Sequence, residues 1–106
     1  MKLTGKCEED FEKWYYIEFD NRSLPYLQGF YVSDLSVQYG VYVDFFDSLG
    51  IYLSVDRLFF DGYEWFCCVV NKLFINTDNG LPINHLKTRQ EARTASIEKA
   101  NEIYNK

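Results

Sequence analysis

The chain has 106 residues, of which 47% are hydrophobic, 19% aromatic and 25% charged, with a net charge of −5. That composition predicts one globular domain over residues 1–106 with a core of large rings, and it excludes a disordered chain; the longest apolar run, Trp65–Val70, is far too short for a membrane span. Charge is divided unevenly, −7 over residues 1–64 and +2 over residues 65–106, so a polyanion could be met only by the C-terminal segment.

The first segment reads as a helix. Thr4 can cap it, and Glu8, Glu9 and Asp10 sit near the positive end of its dipole. Leu3, Cys7, Phe11, Trp14 and Tyr15 form one apolar stripe, and the pattern fades near Asp20-Asn21. Ser23–Gly29 reads as a linker or a single turn.

Residues 33–50 carry two periodicities. Leu35, Val37, Tyr39, Val41, Val43 and Phe45 alternate as in a strand, whereas Leu35, Tyr39, Tyr42, Phe45, Phe46 and Leu49 make a helical stripe. In the helical reading Ser36, Gly40, Asp44 and Asp47 gather on the far side and only Val37 is misplaced. The length of the run favours a helix, and Gly50 supplies a left-handed C-cap with Ile51 as the following hydrophobic contact.

A sheet follows. Ile51, Leu53 and Val55 alternate with Tyr52, Ser54 and Asp56, and Asp61-Gly62 is the sequence of a two-residue hairpin turn. Pairing Phe60 with Tyr63 across that turn places Val55 opposite Cys68 and Leu53 opposite Val70, on one face with Phe66. The other face would then hold Tyr52, Leu58, Phe60, Tyr63, Trp65 and Val69. Leu73–Ile75 is expected as a third strand, Asp78-Asn79-Gly80 as a loop, and Ile83–Leu86 as a short fourth strand.

Thr88–Lys106 reads as an amphipathic helix. Thr88 and Glu91 have capping-box spacing. Ala92, Ser96, Ala100 and Ile103, flanked by Ile97 and Tyr104, form a stripe of mostly small residues, while Glu91, Glu98, Glu102 and Asn105 lie opposite. Small residues on one face let a helix approach a flat apolar layer closely. The predicted fold is therefore α+β: two N-terminal helices, an antiparallel sheet of three or four strands, and a C-terminal helix on one sheet face.

Chemistry-bearing residues are sparse. The three cysteines, Cys7, Cys67 and Cys68, include an adjacent pair and no Cys-x-x-Cys, which points to a reducing, cytoplasmic compartment and inert thiols rather than a disulfide framework. The N-terminal residues run straight into charge, with no apolar signal region. His85 has no ligand partner at metal spacing, Asp44 and Asp47 lack a third ligand, and no glycine-rich phosphate loop is present. No catalytic residue, metal or cofactor is expected, and neither is a membrane partner. An uncovered second sheet face would be an apolar patch, so Tyr52, Leu58, Phe60, Tyr63 and Trp65 are the candidate interface for another protein or a second copy of this chain.

Two resemblances add to this reading. The segments Val37-Gln-Tyr-Gly-Val-Tyr-Val-Asp-Phe-Phe-Asp-Ser-Leu-Gly-Ile51 and Thr88–Tyr104 resemble those of short phage and prophage proteins of gut bacteria that have no assigned activity, which implies a mobile-element origin. The order helix, three strands, helix from residue 33 onward, with Arg89-Gln90-Glu91-Ala92-Arg93 before Ala95, Ser96 and Ala100, is similar to double-stranded-RNA-binding domains. That likeness implies phosphate contacts by Lys87, Arg89 and Arg93. The chain departs from that family at Gln90, in lacking a Gly-Pro-x-His-type loop, and in the sign of its net charge. The sequence thus predicts a small acidic non-catalytic interaction module that binds protein, with duplex RNA as the alternative partner.

Overall fold

The computed structural model describes residues 2–22, 25–57, 65–71 and 83–106. In chain order these form helices α1 (Gly5–Arg22), α2 (Leu27–Tyr31) and α3 (Leu35–Ser48), strands β1 (Ile51–Arg57), β2 (Trp65–Asn71) and β3 (Ile83–Leu86), and helix α4 (Arg89–Asn105). The architecture is α+β, with α4 packed on the antiparallel sheet. The expected turn at Asp61-Gly62 with its Phe60–Tyr63 pair, the strand at Leu73–Ile75 and the loop at Asp78–Gly80 lie outside the described residues.

The helical stripes fall where their periodicity puts them. Leu3, Cys7, Phe11 and Tyr15 are buried along α1. In α3, Tyr42, Phe45 and Phe46 are buried, while Val37 is 50% exposed on the outer side, so the helical period prevails over the alternating one. Gly50 adopts φ +79° after α3, a left-handed conformation only glycine takes without strain, and its N–H donates to the Asp47 carbonyl. The segment read as a linker or a single turn leads into the five-residue helix α2, little more than one turn, which extends beyond it to Tyr31. Its reason is tertiary. The buried Gln38 side chain on α3 donates Nε2–H to the carbonyls of Phe30 (3.2 Å), Tyr31 (3.1 Å) and Ser33 (3.1 Å), satisfying a helix end too short to stand alone.

The start of α1 is capped differently from expectation. Thr4 contributes its carbonyl to the Glu8 N–H, but the Cys7 N–H is met by Asn105 Oδ1 of α4 at 2.9 Å. Asn105 Nδ2 donates back to the Thr4 carbonyl, and Asn101 bridges the Thr4 N–H and hydroxyl. Two asparagines on the wet side of α4 thus close the start of a helix about a hundred residues away in sequence. Gly5, at φ +60°, lets the chain pass beneath them; a Cβ there would sit 3.3 Å from the Asn105 amide. At α4 itself Thr88 Oγ1 accepts from the Glu91 N–H, while the Glu91 carboxylate reaches the Lys87 N–H rather than that of Thr88.

The hairpin register corrects the sequence reading. Arg57 pairs with Trp65, Val55 with Cys67 and Leu53 with Val69; an unbroken ladder into a two-residue turn at Asp61-Gly62 would have put Arg57 opposite Phe66. A shift of one residue exchanges the faces of β2. Ile51, Leu53, Val55, Trp65, Cys67 and Val69 therefore face the helices, and Tyr52, Ser54, Asp56, Phe66 and Cys68 share the opposite face. Cys67 and Val69 are buried under α4, the side to which Ala92, Ser96, Ile97, Ala100 and Ile103 also turn. Strand β3 joins β2 antiparallel at Trp65↔Leu86 and Cys67↔Ile83, with a register shift between them. Helix α3 packs on β1. Helix α1 packs on α4 and meets α3 through rings: Phe11 stands 4.9 Å from Tyr42 and 5.2 Å from Phe45, centre to centre.

Candidate functional site

The new register brings basic and aromatic side chains together. A cleft of about 620 Å³ opens between α3, the outer part of β1 and the start of α4. Tyr39 and Val43 form one wall, and Arg89 and Arg93 another, one helical turn apart on α4; Trp65 and residues Leu53–Arg57 complete it. Arg57 and Trp65 meet because they are cross-strand partners at the end of the ladder.

The rings hold the cations. The Arg89 guanidinium lies 5.0 Å from the centre of the Trp65 ring, with Arg57 at 5.7 Å from the same ring, and Arg93 lies 5.1 Å from the centre of Tyr39. Each such contact contributes about 0.5–2 kcal/mol. Stacking engages the flat face of a guanidinium and leaves its in-plane N–H donors for a second partner. Among the described residues no carboxylate lies within ion-pair distance of Arg89 or Arg93, and Arg93 Nε is shielded from solvent without a hydrogen-bond partner. Burial pushes the Tyr39 phenol above its ordinary value, with Ser96 and the Arg93 cation pulling the other way.

What lines the cleft fits the holding of an anion better than covalent chemistry. Asp56 Oδ1 already accepts from the Arg57 N–H at 2.7 Å, and Ser54 Oγ leans toward the Cys68 carbonyl at 3.4 Å rather than toward a base. Among the described residues no three His, Cys, Asp or Glu side chains gather to hold a metal. Burial pushes the Cys7 thiol up to about 12, with Asp10 adding to the shift, and raises Cys67 as well. No described helix is long and apolar enough to cross a membrane.

The sequence-predicted residues are divided by this geometry. Tyr52 is 41% exposed on the open sheet face, whereas Trp65 is half-buried on the helix-packed side, so the two do not share a surface. Leu58, Phe60 and Tyr63 lie outside the described residues. Arg89 and Arg93 come together in the cleft; Lys87 is exposed, does not line it, and is tied through its backbone to Glu91. Sequence reasoning missed Arg57 and Tyr39. An Arg at the end of a strand becomes informative only once its cross-strand neighbour is known to be Trp65. A scan of protein-family models and searches of curated proteins and of solved structures match nothing in this chain.

Proposed function

We propose that this chain is a small acidic, non-catalytic binding module of mobile-element origin, acting in the cytoplasm, that engages another protein through the Arg57–Arg89–Arg93 cleft; in this reading its sheet carries three or four strands. The observation that carries the proposal is the meeting of those three guanidiniums with Trp65 and Tyr39 in one cleft of a chain whose net charge is −5. Arg and aromatic side chains held in defined positions are the anchors on which protein interfaces concentrate their binding energy. A local basic cleft in an acidic molecule selects for a short anionic feature and works against a long uniform polyanion.

The alternative partner is duplex RNA, through Lys87, Arg89 and Arg93. The placement of Arg89 and Arg93 at the start of α4, with Arg89 exposed, favours it, and the half-buried position of Arg93 beside Tyr39 works against it, since phosphate contacts across a groove need protruding cations.

The test compares the tagged wild-type chain with Arg89→Ala/Arg93→Ala as baits in the native cell. A protein retained by the wild type and lost by the variant, with unchanged circular dichroism, supports the reading. Retention of RNA that is lost to nuclease and to moderate salt supports the alternative. A second copy of this chain as the partner would show as a dimer by light scattering that the same substitutions dissociate.

A further inference from the structure

The cleft has one wall that side chains alone do not explain. Leu53, Ser54, Val55, Asp56 and Arg57 all line it, although successive residues of a strand point to opposite faces. The side chains of Ser54 and Asp56 belong to the opposite face, so these residues border the cleft through their backbone, as they would where it reaches the strand's edge. Strand β1 is at the end of the sheet order β1-β2-β3, so its ladder with β2 occupies one side and, among the described residues, no strand pairs with the other. An edge strand leaves alternate backbone N–H and C=O groups outside its ladder, here over about 17 Å along Leu53–Arg57, where the Arg57 N–H already donates to Asp56 Oδ1.

We propose that this edge receives an extended segment of a partner protein as an added strand, with carboxylate side chains of that segment held by Arg89 and Arg93. This rests on the binding-module reading and names the form of the partner. Three observations converge on it. The open edge needs donors and acceptors that repeat at strand spacing, which a peptide backbone has and a nucleic-acid backbone lacks. Arg89 lies at the Arg57 end of the edge, over the Trp65 ring that pairs with Arg57, and Arg93 follows one helical turn on, beside Tyr39, so the segment needs its charge toward that end. Leu53, at the opposite end of the lining stretch of β1, and Val43 of α3 give the cleft apolar lining that would suit an aliphatic side chain.

The two α4 arginines suit the role. Both are held by ring contacts, and among the described residues Arg93 makes no side-chain hydrogen bond that a ligand would have to displace; its Nε is without a partner. A carboxylate arriving beside them can accept two parallel N–H bonds from one guanidinium. The segment that fits has an aliphatic residue followed, a few positions along the same face, by Glu or Asp.

The experiment uses the whole chain and two blocked peptides of about eight residues, one alternating Thr with Val and then with Glu, the other with Gln in place of Glu. Amide hydrogen exchange and two-dimensional NMR follow the titration. The expected result is exchange slowed by about tenfold or more at alternate residues of Leu53–Arg57. Affinity should fall by at least about tenfold for the Gln peptide and for Arg89→Ala/Arg93→Ala. Arg89→Lys/Arg93→Lys should recover part of it, because charge is kept and the fork lost. Unchanged exchange along β1 at saturating peptide overturns the proposal, as does equal affinity for both peptides. So does displacement of the peptide by short duplex RNA with a steep salt dependence. A captured protein that depends on Arg89 and Arg93 yet leaves β1 exchange unaltered would end the strand geometry and leave the binding module standing; loss of every cleft-dependent protein would end the module reading itself.

Discussion

Phe11 is fully buried and meets the rings of Trp14, Tyr15, Phe30, Tyr42 and Phe45, which makes it the junction of α1, α2 and α3. Phe11→Ala should cost about 3–5 kcal/mol, read as a lower urea midpoint, against a total of about 5–15 kcal/mol for a domain. Tyr39→Ala, beside the cleft, should cost less stability because the ring is only partly enclosed. The thiols can be ranked on the same physical ground. Cys7 and Cys67 are buried with raised pKa values, and Cys68 is half-exposed on the open face. Iodoacetamide at neutral pH should label Cys68 first, and Cys7 and Cys67 only after unfolding, as mass spectrometry of digests would show. That one of the adjacent cysteines is core and the other on the second face follows from strand alternation and could be read in the sequence; the register read from the hairpin turn chose Cys68 as the inner one, whereas the structure buries Cys67.

At the scale of elements, local rules succeeded wherever the partners are close in the chain. The α3 stripe, the Gly50 stop and the Thr88 cap all join residues within about one or two helical turns. They failed where the partner is remote. The Thr4 hydroxyl was expected to cap α1, yet Asn105 meets the Cys7 N–H, because α4 lies across the start of α1 and brings an amide that can both accept and donate. Asn105→Ala should destabilise the chain by about 0.5–2 kcal/mol and speed amide exchange in the first turn of α1, although it alters an exposed residue of a different helix. If first-turn exchange is unchanged while the stability falls, the asparagine acts within α4 alone. The expected strand register failed for the same reason: the Asp61-Gly62 turn lies outside the described residues, but burial of Cys67 and Val69 beneath α4 selects the register in which they, and not Cys68, face inward.

For the whole molecule, pH should act at both extremes. Asp10 accepts from the Tyr104 hydroxyl and pairs with Lys6 at 3.1 Å; these hold its carboxyl below the ordinary 3.8, Tyr104 foremost, so its contribution is present above that value and lost as pH falls further. Cys7, raised from 9.0 to about 12 mainly by burial, and Tyr104, raised from 10.0 to about 12 mainly by its bond to Asp10, act in the opposite sense. Their contributions are complete below pH 9 and 10 and disappear as pH climbs toward 12. Chemical denaturation across pH should therefore show a plateau in the middle range and a decline on each side, with Tyr104→Phe flattening both shoulders. The amino-acid sequence on its own determined the helices α1, α3 and α4, the presence of strands at β1 and β2, and the aromatic core, because these depend on periodicity and on caps between near neighbours. Only the tertiary structure decided the register of the hairpin, the short helix α2, the closure of α1 by Asn101 and Asn105, and the cleft of Arg57, Arg89 and Arg93. Each of those requires groups far apart in the chain to compete for the same space, and which packing buries more apolar surface is settled only when all of them are present together.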